Sequence, residues 1–225
     1  MTRIVAIETA TDACSVALWQ DGAVLEKFEP GARRQTERVL PMVEELLAEA
    51  GIELSSVDAL AFGQGPGSFT GVRVATSVVQ GLAFSLDLPV VGVSTLASCA
   101  LAAHDLQPRF RRIAATFDAR MGEVYFGAYR CGGDEAEPLC DEGVFAPEQV
   151  PVLDGGDWLL AGSGAIYQDA LSGRLTWAGM DAEAMPRAAT VARLAVAAVR
   201  EGRTVPAEQA QPVYLRDRVV QIGRK

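Results

Sequence analysis

The chain has 225 residues, a formal net charge of −9 and a hydrophobic fraction of 49%. This length is enough for one large domain or two small ones, and the charged fraction of 22% is near the globular average, which argues against a mainly disordered chain. Non-specific affinity for nucleic acid comes from Lys and Arg, so an acidic chain does not bind a phosphate backbone by charge alone. Any role with RNA is therefore expected to be shared with a partner.

The cysteines and the N-terminus predict a cytoplasmic protein. The N-terminal residues 1–8 lack the long apolar run of a signal peptide, and no stretch approaches the about 18 uninterrupted apolar residues of a membrane span. No C-x-x-C pair or zinc-site spacing is present, so we expect reduced cysteines that pack as small hydrophobic residues. The cysteines are Cys14, Cys99, Cys131 and Cys140.

The first half predicts a β-meander followed by alternating helices and strands. Asp21-Gly22 is a hairpin signal between two short apolar runs, and no helix follows the first strand, which disfavours a dinucleotide-binding Rossmann unit. Pro41 lies inside a helical pattern and predicts a kink or a start nearer Arg38. The predicted strands are 4–7, 14–19, 24–28, 59–63 and 90–93, and the predicted helices are 35–50, 68–86 and 95–104.

The second half repeats the opening pattern of strand, tight acidic turn and strand. The composition turns polar around residues 106–112, and we place a subdomain boundary there, between 1–106 and 107–225. The tail from about residue 205 is expected to return to the first subdomain. The similarity of the two halves is architectural, and it predicts a weak internal duplication. Predicted elements are strands over 113–118 and 124–130, a strand with a glycine turn over 158–165, and a helix over 190–201.

A glycine-rich segment, residues 65–73, joins a predicted strand to a predicted helix. It is not a Walker loop, because no Gly-Lys-Ser/Thr follows, and it does not fit G-x-G-x-x-G. Ser68 can cap the helix, and glycines allow positive φ and a close backbone approach. Two interpretations stay open: a contact with an anion or partner peptide, or a tight turn with helix packing. The glycine-loop residues are Gly65, Gly67, Ser68 and Gly71.

The sequence Gly-Pro-Gly-Ser-Phe-Thr-Gly-Val-Arg of residues 65–73 resembles the signature of the bacterial TsaB (YeaZ) family. Further stretches resemble the family in the same order along nearly the whole chain. They are residues 7–18, 40–42, 92–96, 118–125 and 212–216, and the weakest coverage is 132–188. The resemblance implies an α/β fold with two actin-like (ASKHA, ribonuclease H-like) subdomains, each a mixed sheet with flanking helices. It also implies a non-catalytic relative of TsaD in the actin-like ATPase superfamily, which carries a peptidase M22-like label.

In that superfamily, acidic strand–turn–strand hairpins from the two halves surround nucleotide phosphates. Residues 8–12 and 118–122 occupy these hairpins here, and the turn 162–164 is placed to face an adenine. The resemblance implies a member that does not turn over ATP by itself, so these residues are interpreted as vestigial and no catalytic residue is assigned. The alternative is an active ATPase or phosphotransferase whose carboxylates hold Mg²⁺ or its waters. The vestigial residues are Glu8, Thr11, Asp12, Asp118, Gly162 and Gly164.

The histidine content argues against a peptidase. TsaD carries an H-x-x-x-H pair that binds its metal, and the matching positions in this chain look like Thr95 and Cys99. His104 is the only histidine, and the sequence has no H-E-x-x-H motif and no signal for a Ser-His-Asp set. No metal is therefore expected on this chain.

The helices 35–50 and 68–86 carry more apolar residues than one sheet contact needs. A helix that is apolar on most sides is buried on most sides. One side would pack on its own sheet, and the other would pair with the same two helices of a relative in a four-helix interface. Core packing within the monomer is the alternative, and the resemblance favours the interface. The predicted interface residues are Val39, Val43, Leu46, Arg73, Val78, Val79 and Leu82.

The resemblance implies a non-catalytic partner subunit of TsaD, needed to form N6-threonylcarbamoyladenosine at adenosine 37 of tRNAs that read codons beginning with adenine. TsaD would carry the metal, the chemistry and most of the tRNA contact, and the ATPase TsaE would join a ternary complex. No cofactor is expected to bind firmly to this chain, and ATP or ADP would sit at the interface of the complex. Alone, the chain would form a homodimer through the same helix-pair surface. No membrane partner is expected.

Overall fold

The structure is a computed structural model that describes residues 2–31 and 34–216. Its strands are β1 (Arg3–Glu8), β2 (Cys14–Gln20), β3 (Ala23–Glu29), β4 (Ala59–Gly65), β5 (Val90–Ser94), β6 (Arg112–Arg120), β7 (Glu123–Gly132), β8 (Glu135–Pro138), β9 (Gly143–Phe145), β10 (Trp158–Ala161) and β11 (Trp177–Asp181). Its α-helices are α1 (Gln35–Ala50), α2 (Phe69–Leu86), α3 (Thr95–Leu106), α4 (Gln168–Leu171) and α5 (Ala188–Arg200). Short 3₁₀ turns lie at Leu54–Ser56, Pro147–Gln149, Ser163–Tyr167 and Ala207–Gln209.

Two mixed sheets share one strand order. The first runs β3-β2-β1-β4-β5 and the second β8-β7-β6-β10-β11, with β9 beside β7. In each sheet, the first three strands of the sequence are antiparallel neighbours. Two later strands then add in parallel, which requires a crossover connection. The predicted internal duplication is confirmed at the level of topology.

The hairpin and helix signals of the first lobe have the expected local geometry. Asp21 and Gly22 adopt φ of 47° and 97° in the turn between β2 and β3, as the Asp-Gly pair predicts. Helix α1 begins at Gln35 and includes Pro41, so the later start predicted near Arg38 is wrong. Burial of one apolar face of α1 in the core offsets the hydrogen bond that proline removes. Gly51 ends the helix in the left-handed conformation, with φ of 65°.

The helices cross between the two halves of the sequence. Helix α3, from the first half, packs on β6 and β7 of the second sheet, whereas α5, from the second half, packs on β1, β2, β4 and β5. The buried clusters agree, because Leu101 lies with Ile113 in one cluster and Val191 lies with Ile4 in another. A division after residue 106 therefore separates the two sheets but not the helices that cover them.

The C-terminal segment contacts the first lobe. Val205 pairs with Val90 at the edge of the first sheet, and Ala210 O accepts a hydrogen bond from Gln80 Nε2 at 2.7 Å. Residues 205–213 thus pack on the first lobe. Residues 217–225, which include the last basic residues of the tail, lie outside the described residues.

Within the described ranges, one helix, α2, is long and apolar enough to cross a membrane, judged by length and composition alone. Core helices meet the same test, and α2 has the contacts of one. Val72, Ala75, Val79 and Ala83 are buried, and the helix packs on β4. The opposite face of α2 is open to solvent and contributes to the site described next.

Candidate functional site

A cavity of about 970 Å³ opens between the two lobes. The turn after β1 and the start of α2 line it on one side, and the β6–β7 hairpin lines it on the other. The two predicted acidic hairpins therefore meet across one cleft, in which Thr11 and Asp12 face the same space as Asp118. The charged lining residues are Asp12, Arg73, Asp118, Arg120, Glu183 and Arg216.

The glycine-rich segment packs its backbone onto the turn between β1 and β2. A Cβ at Gly67 would overlap the carbonyl oxygen of Ala10, and a Cβ at Gly71 would overlap that of Thr9. Ser68 N donates to Ala10 O at 2.7 Å, and Thr9 Oγ1 donates to Gly71 O at 2.7 Å. These two glycines are required because two stretches of backbone touch with no room for a side chain.

The remaining loop residues are also engaged by the chain itself. Ser68 caps α2, and its Oγ accepts from Gly71 N at 3.4 Å. Gly65 has a φ of 108°, and a Cβ there would lie 2.8 Å from Val213 O in the tail. Packing within the chain thus accounts for each of the four residues, which favours the tight-turn interpretation over an anion site.

Glu8 ends β1 with its carboxyl group away from the cleft. It is 2% exposed, and its Oε1 accepts from Ala10 N at 2.6 Å. Its Oε2 lies against Gly63, where a Cβ would overlap it, and has no hydrogen-bond partner among the described residues. Burial raises the pKa of Glu8 to about 7, against the opposing effect of hydrogen bonds from Ala10 and Thr9. Glu8 is not part of the cleft lining, so it does not share a site with Asp12 and Asp118.

Asp118 lines the cleft, but its neighbours engage its carboxylate. Its Oδ1 accepts from Arg120 N at 2.8 Å and from Tyr167 Oη at 3.3 Å, and its Oδ2 lies 3.0 Å from Arg120 Nη1. Asp118 N donates to Ser163 Oγ at 3.1 Å. Asp12, by contrast, is exposed on the opposite wall. Of the two carboxylates in the cleft hairpins, that of Asp12 is therefore open to solvent and that of Asp118 is already paired with Arg120.

The turn 162–164 packs on β6. Gly162 has a φ of 95°, and a Cβ there would overlap Thr116 O, while a Cβ at Gly164 would lie 2.6 Å from Thr116 Cβ. Both glycines thus permit a close approach to the strand. Of the three turn residues, Ser163 lines the cleft.

The two positions that the sequence analysis compared with the TsaD histidine pair, Thr95 and Cys99, are in the interior. Thr95 Oγ1 accepts from Gly65 N at 3.1 Å, and Cys99 Sγ donates to Ala184 O at 3.6 Å. Burial raises the pKa of Cys99 far above its usual range, so it stays a thiol. In residues 2–31 and 34–216, no three His, Cys, Asp or Glu side chains are placed to hold a metal ion.

The predicted interface residues fall into two groups. Four belong to the first-lobe core and are at most 3% exposed: Val39, Val43, Leu46 and Val79. The interface prediction is corrected for these four, because their side chains pack between the helices and the sheet and offer no surface to a partner. Of the others, Arg73 is exposed on the open face of α2, whereas Val78 and Leu82 are half-buried and pack against the same core.

A groove of about 320 Å³ lies along α2 beside Thr36 of α1, and both helices carry exposed apolar residues that the sequence analysis did not select. Leu40 on α1 is 44% exposed, and Phe69 and Phe84 on α2 are 56% and 81% exposed. The sequence signal for Phe69 and Phe84 was their helical spacing with Arg73 and Ser77, because these two polar residues mark that face of α2 as the outward one. The groove is lined by Thr36, Phe69, Thr70, Arg73, Val74, Ser77 and Val78.

Comparison with known families matches residues 29–224 to a model described as "TsaD: tRNA N6-adenosine threonylcarbamoyltransferase". The chain is 42% identical over 224 residues to the "tRNA threonylcarbamoyladenosine biosynthesis protein TsaB" of Escherichia coli (strain K12), with 96% of each chain covered. It is 40% identical to the protein of the same name from Haemophilus influenzae, covering 96% of this chain and 94% of the relative. Among solved structures, "YeaZ from Pseudomonas aeruginosa" is 47% identical, with a TM-score of 0.89 over 96% of this chain and 100% of that one.

These matches extend over nearly the whole chain, as the motif resemblance does. The two mixed sheets of equal strand order, together with the likeness to YeaZ, confirm the predicted α/β fold of two actin-like, ribonuclease H-like subdomains. The identity and coverage of the relatives establish the family: the chain belongs to the TsaB family.

Proposed function

We propose that this protein is the non-catalytic partner subunit of TsaD in the formation of N6-threonylcarbamoyladenosine at adenosine 37 of tRNAs that read codons beginning with adenine. The pathway is the one in the names of its TsaB relatives. The observation that carries the partner role is the open face of α1 and α2, which combines exposed aromatic side chains, an arginine and a groove. We define this docking surface as Leu40, Phe69, Arg73, Val78 and Phe84.

The docking surface has the composition of a protein contact site. Arg73 lies over the Phe69 ring at 3.5 Å from its centroid, and its Nε donates to Tyr214 Oη at 2.8 Å. Aromatic residues and arginine supply most of the binding energy at interfaces, and contiguous exposed apolar side chains mark such sites. Phe84 and Leu40 add exposed apolar area on α2 and α1. A partner helix pair would bury these groups.

The match of this chain to the TsaD family model supports TsaD as that partner. A relative with the same fold would present an equivalent helix pair, and two such pairs would form a pseudo-symmetric four-helix contact. The same surface would hold a homodimer when TsaD is absent. TsaE would join the assembly in the cytoplasm, with the metal on TsaD, tRNA contacted indirectly, and ATP or ADP at the interface of the complex.

The cleft supports a subunit that does not turn over ATP by itself. Glu8 lies against Gly63 and not in the cleft, and the Asp118 carboxylate is paired with Arg120. The alternative is an active ATPase or phosphotransferase, and the observation in its favour is the size of the cleft, which is in the range of small-molecule sites. Clear hydrolysis of ATP by the purified chain would favour this alternative.

Charge substitutions on the docking surface test the partner role. We expect Phe84→Glu and Leu40→Glu to reduce co-purification with TsaD at least tenfold, because each places a carboxylate in an apolar contact. The matched control is Val152→Glu, since Val152 is 62% exposed on the second lobe and lies outside the docking surface. Threonylcarbamoyladenosine in tRNA, measured by mass spectrometry in cells that depend on the variant, should fall in parallel.

Retention of TsaD by both docking-surface variants at normal stoichiometry would contradict the proposed interface. Val79 and Leu46 are unsuitable for this test, because both are 0% exposed and a carboxylate there would destabilise the core. Circular dichroism melting of each variant confirms that a loss of binding does not come from unfolding.

A further inference from the structure

Four tail residues run from one lobe to the other along the cleft. Val213, Tyr214, Leu215 and Arg216 all line the cavity, and we call them the strap. Val213 N donates to Gln64 O at the end of β4, at 2.8 Å. This bond fixes the beginning of the strap on the first lobe.

The second residue of the strap is anchored to α2. Tyr214 Oη accepts the hydrogen bond from Arg73 Nε at 2.8 Å, and the Tyr214 ring lies 6.1 Å from that of Phe69. The positive φ of Gly65 and the absence of a side chain leave room for the carbonyl group of Val213. The first lobe is therefore shaped to receive the strap.

The last strap residue is attached to the second lobe. Arg216 pairs with the carboxylate of Glu123, and its Nη1 lies 3.8 Å from Met121 Sδ. Its side chain is 16% exposed, so the contact covers most of a residue that is normally found in water. Four consecutive residues thus join the two walls of the cleft.

The receiving hairpin has an unusual backbone. Arg120 and Met121 have φ of 63° and 59°, in the left-handed region that disfavours residues with a side chain. Such conformations persist where the surrounding structure enforces them, and they cluster at functional sites. Here the turn holds Met121 and Glu123 at the end of the strap.

The strap differs from the other links between the lobes. Helices α3 and α5 contact elements of both lobes, but no residue of α3 or α5 belongs to the cleft lining that the structure describes. The strap is a link that lies along the cleft itself. A hinge motion that separated the cleft walls would have to break the strap at one of its two ends.

We propose that the strap is a latch that holds the two lobes together over the cleft, and that release of Arg216 from Glu123 lets the walls separate. The Arg216 end is the weaker one, because Glu123 is partly exposed and exposed ion pairs contribute little to stability. The first-lobe end is held by a backbone hydrogen bond and by the contacts of Tyr214 with Arg73 and Phe69. Separation of the cleft walls is thus controlled by the Arg216–Glu123 ion pair and by the contact of Arg216 with Met121.

Hydrogen–deuterium exchange of the full chain tests the latch. We expect Arg216→Ala and Glu123→Ala to speed exchange at least fivefold in peptides from both walls, covering residues 64–73 and 116–126. The matched control is Arg130→Ala, which removes the 2.7 Å ion pair to Glu137 within the β7–β8 ladder of one lobe and should leave both peptides unchanged. Faster exchange confined to residues 213–216 would overturn the proposal.

Two further variants keep the test decisive. Tyr214→Ala removes the anchor on the first lobe, and it should give the same increase in the peptide from the second lobe. The double charge swap Arg216→Glu with Glu123→Arg should restore wild-type exchange on both walls. Failure of the swap to restore protection, in a variant that still melts cooperatively, would show that the ion pair does not act as the latch.

Discussion

Glu8 shows how burial decides what a carboxyl group can do. Its position at the end of β1 groups it in sequence with Asp12, but of the two only Asp12 lines the cleft. Burial raises the folded-state pKa of Glu8 from 4.5 to about 7, so the folded chain holds a proton that the unfolded chain has lost. Between these two values, the folded state binds more protons, and the free energy of unfolding falls as pH rises.

Glu8→Gln removes this titration while keeping the shape of the side chain. We expect the variant to gain stability over the wild type as pH rises from about 4.5 to about 7, by up to roughly 3 kcal/mol, because the wild type alone must ionise a buried group. Urea unfolding at pH 5 and pH 8 measures the change. The pH 5 data are the baseline, because residue 8 is largely neutral in the folded state of both proteins there and most of the expected change lies above that pH. An unchanged difference between the two pH values would contradict a buried, titrating Glu8.

At the scale of elements, the contact between the glycine-rich loop and the β1–β2 turn positions one wall of the cleft. The loop begins α2, and the turn carries Thr11 and Asp12. Gly71 N is held by the Ser68 cap, and Gly71 O accepts from Thr9 Oγ1. The two segments are therefore fixed to each other by hydrogen bonds as well as by shape. A shift of one would move the other.

Gly71→Ala should destabilise the chain by about 2 kcal/mol or more, because its methyl group would overlap the backbone oxygen of Thr9 and force the two segments apart. Gly81→Ala is the matched control. Gly81 lies in the same helix, and apart from the adjoining helix backbone no atom lies within 4 Å of the place that its new methyl group would take, so we expect this change to stabilise α2 by roughly 0.5 to 1 kcal/mol. Chemical denaturation measures both. A tolerated Gly71→Ala would contradict the close backbone contact.

At the scale of the whole molecule, the elements with strong periodicity were predictable from the sequence. The β1–β3 meander, α1, α2 and α5 lie within two residues of their predicted bounds. The short strands β8, β9 and β11 were missed, because three to five residues are too few for a periodic pattern to stand out from the surrounding turns. Periodicity also cannot tell which of two apolar helix faces points inward, so Val79 was assigned to an interface and Phe84 was not. Which helix covers which sheet depends on contacts between distant residues that no local pattern encodes.

The exchange of helices between lobes makes the two halves depend on each other for folding. Without residues 107–225, the first sheet lacks the helix α5 that covers it. The apolar face of α3, which includes Leu96 and Leu101, likewise lacks the second sheet on which it packs. We therefore expect a fragment of residues 1–106 to show no cooperative thermal transition, whereas the full chain unfolds in one. Circular dichroism melting of both measures this, and co-expression with residues 107–225 should restore the transition. A cooperative melt of the isolated fragment would show that α3 and α5 are not needed to complete each core.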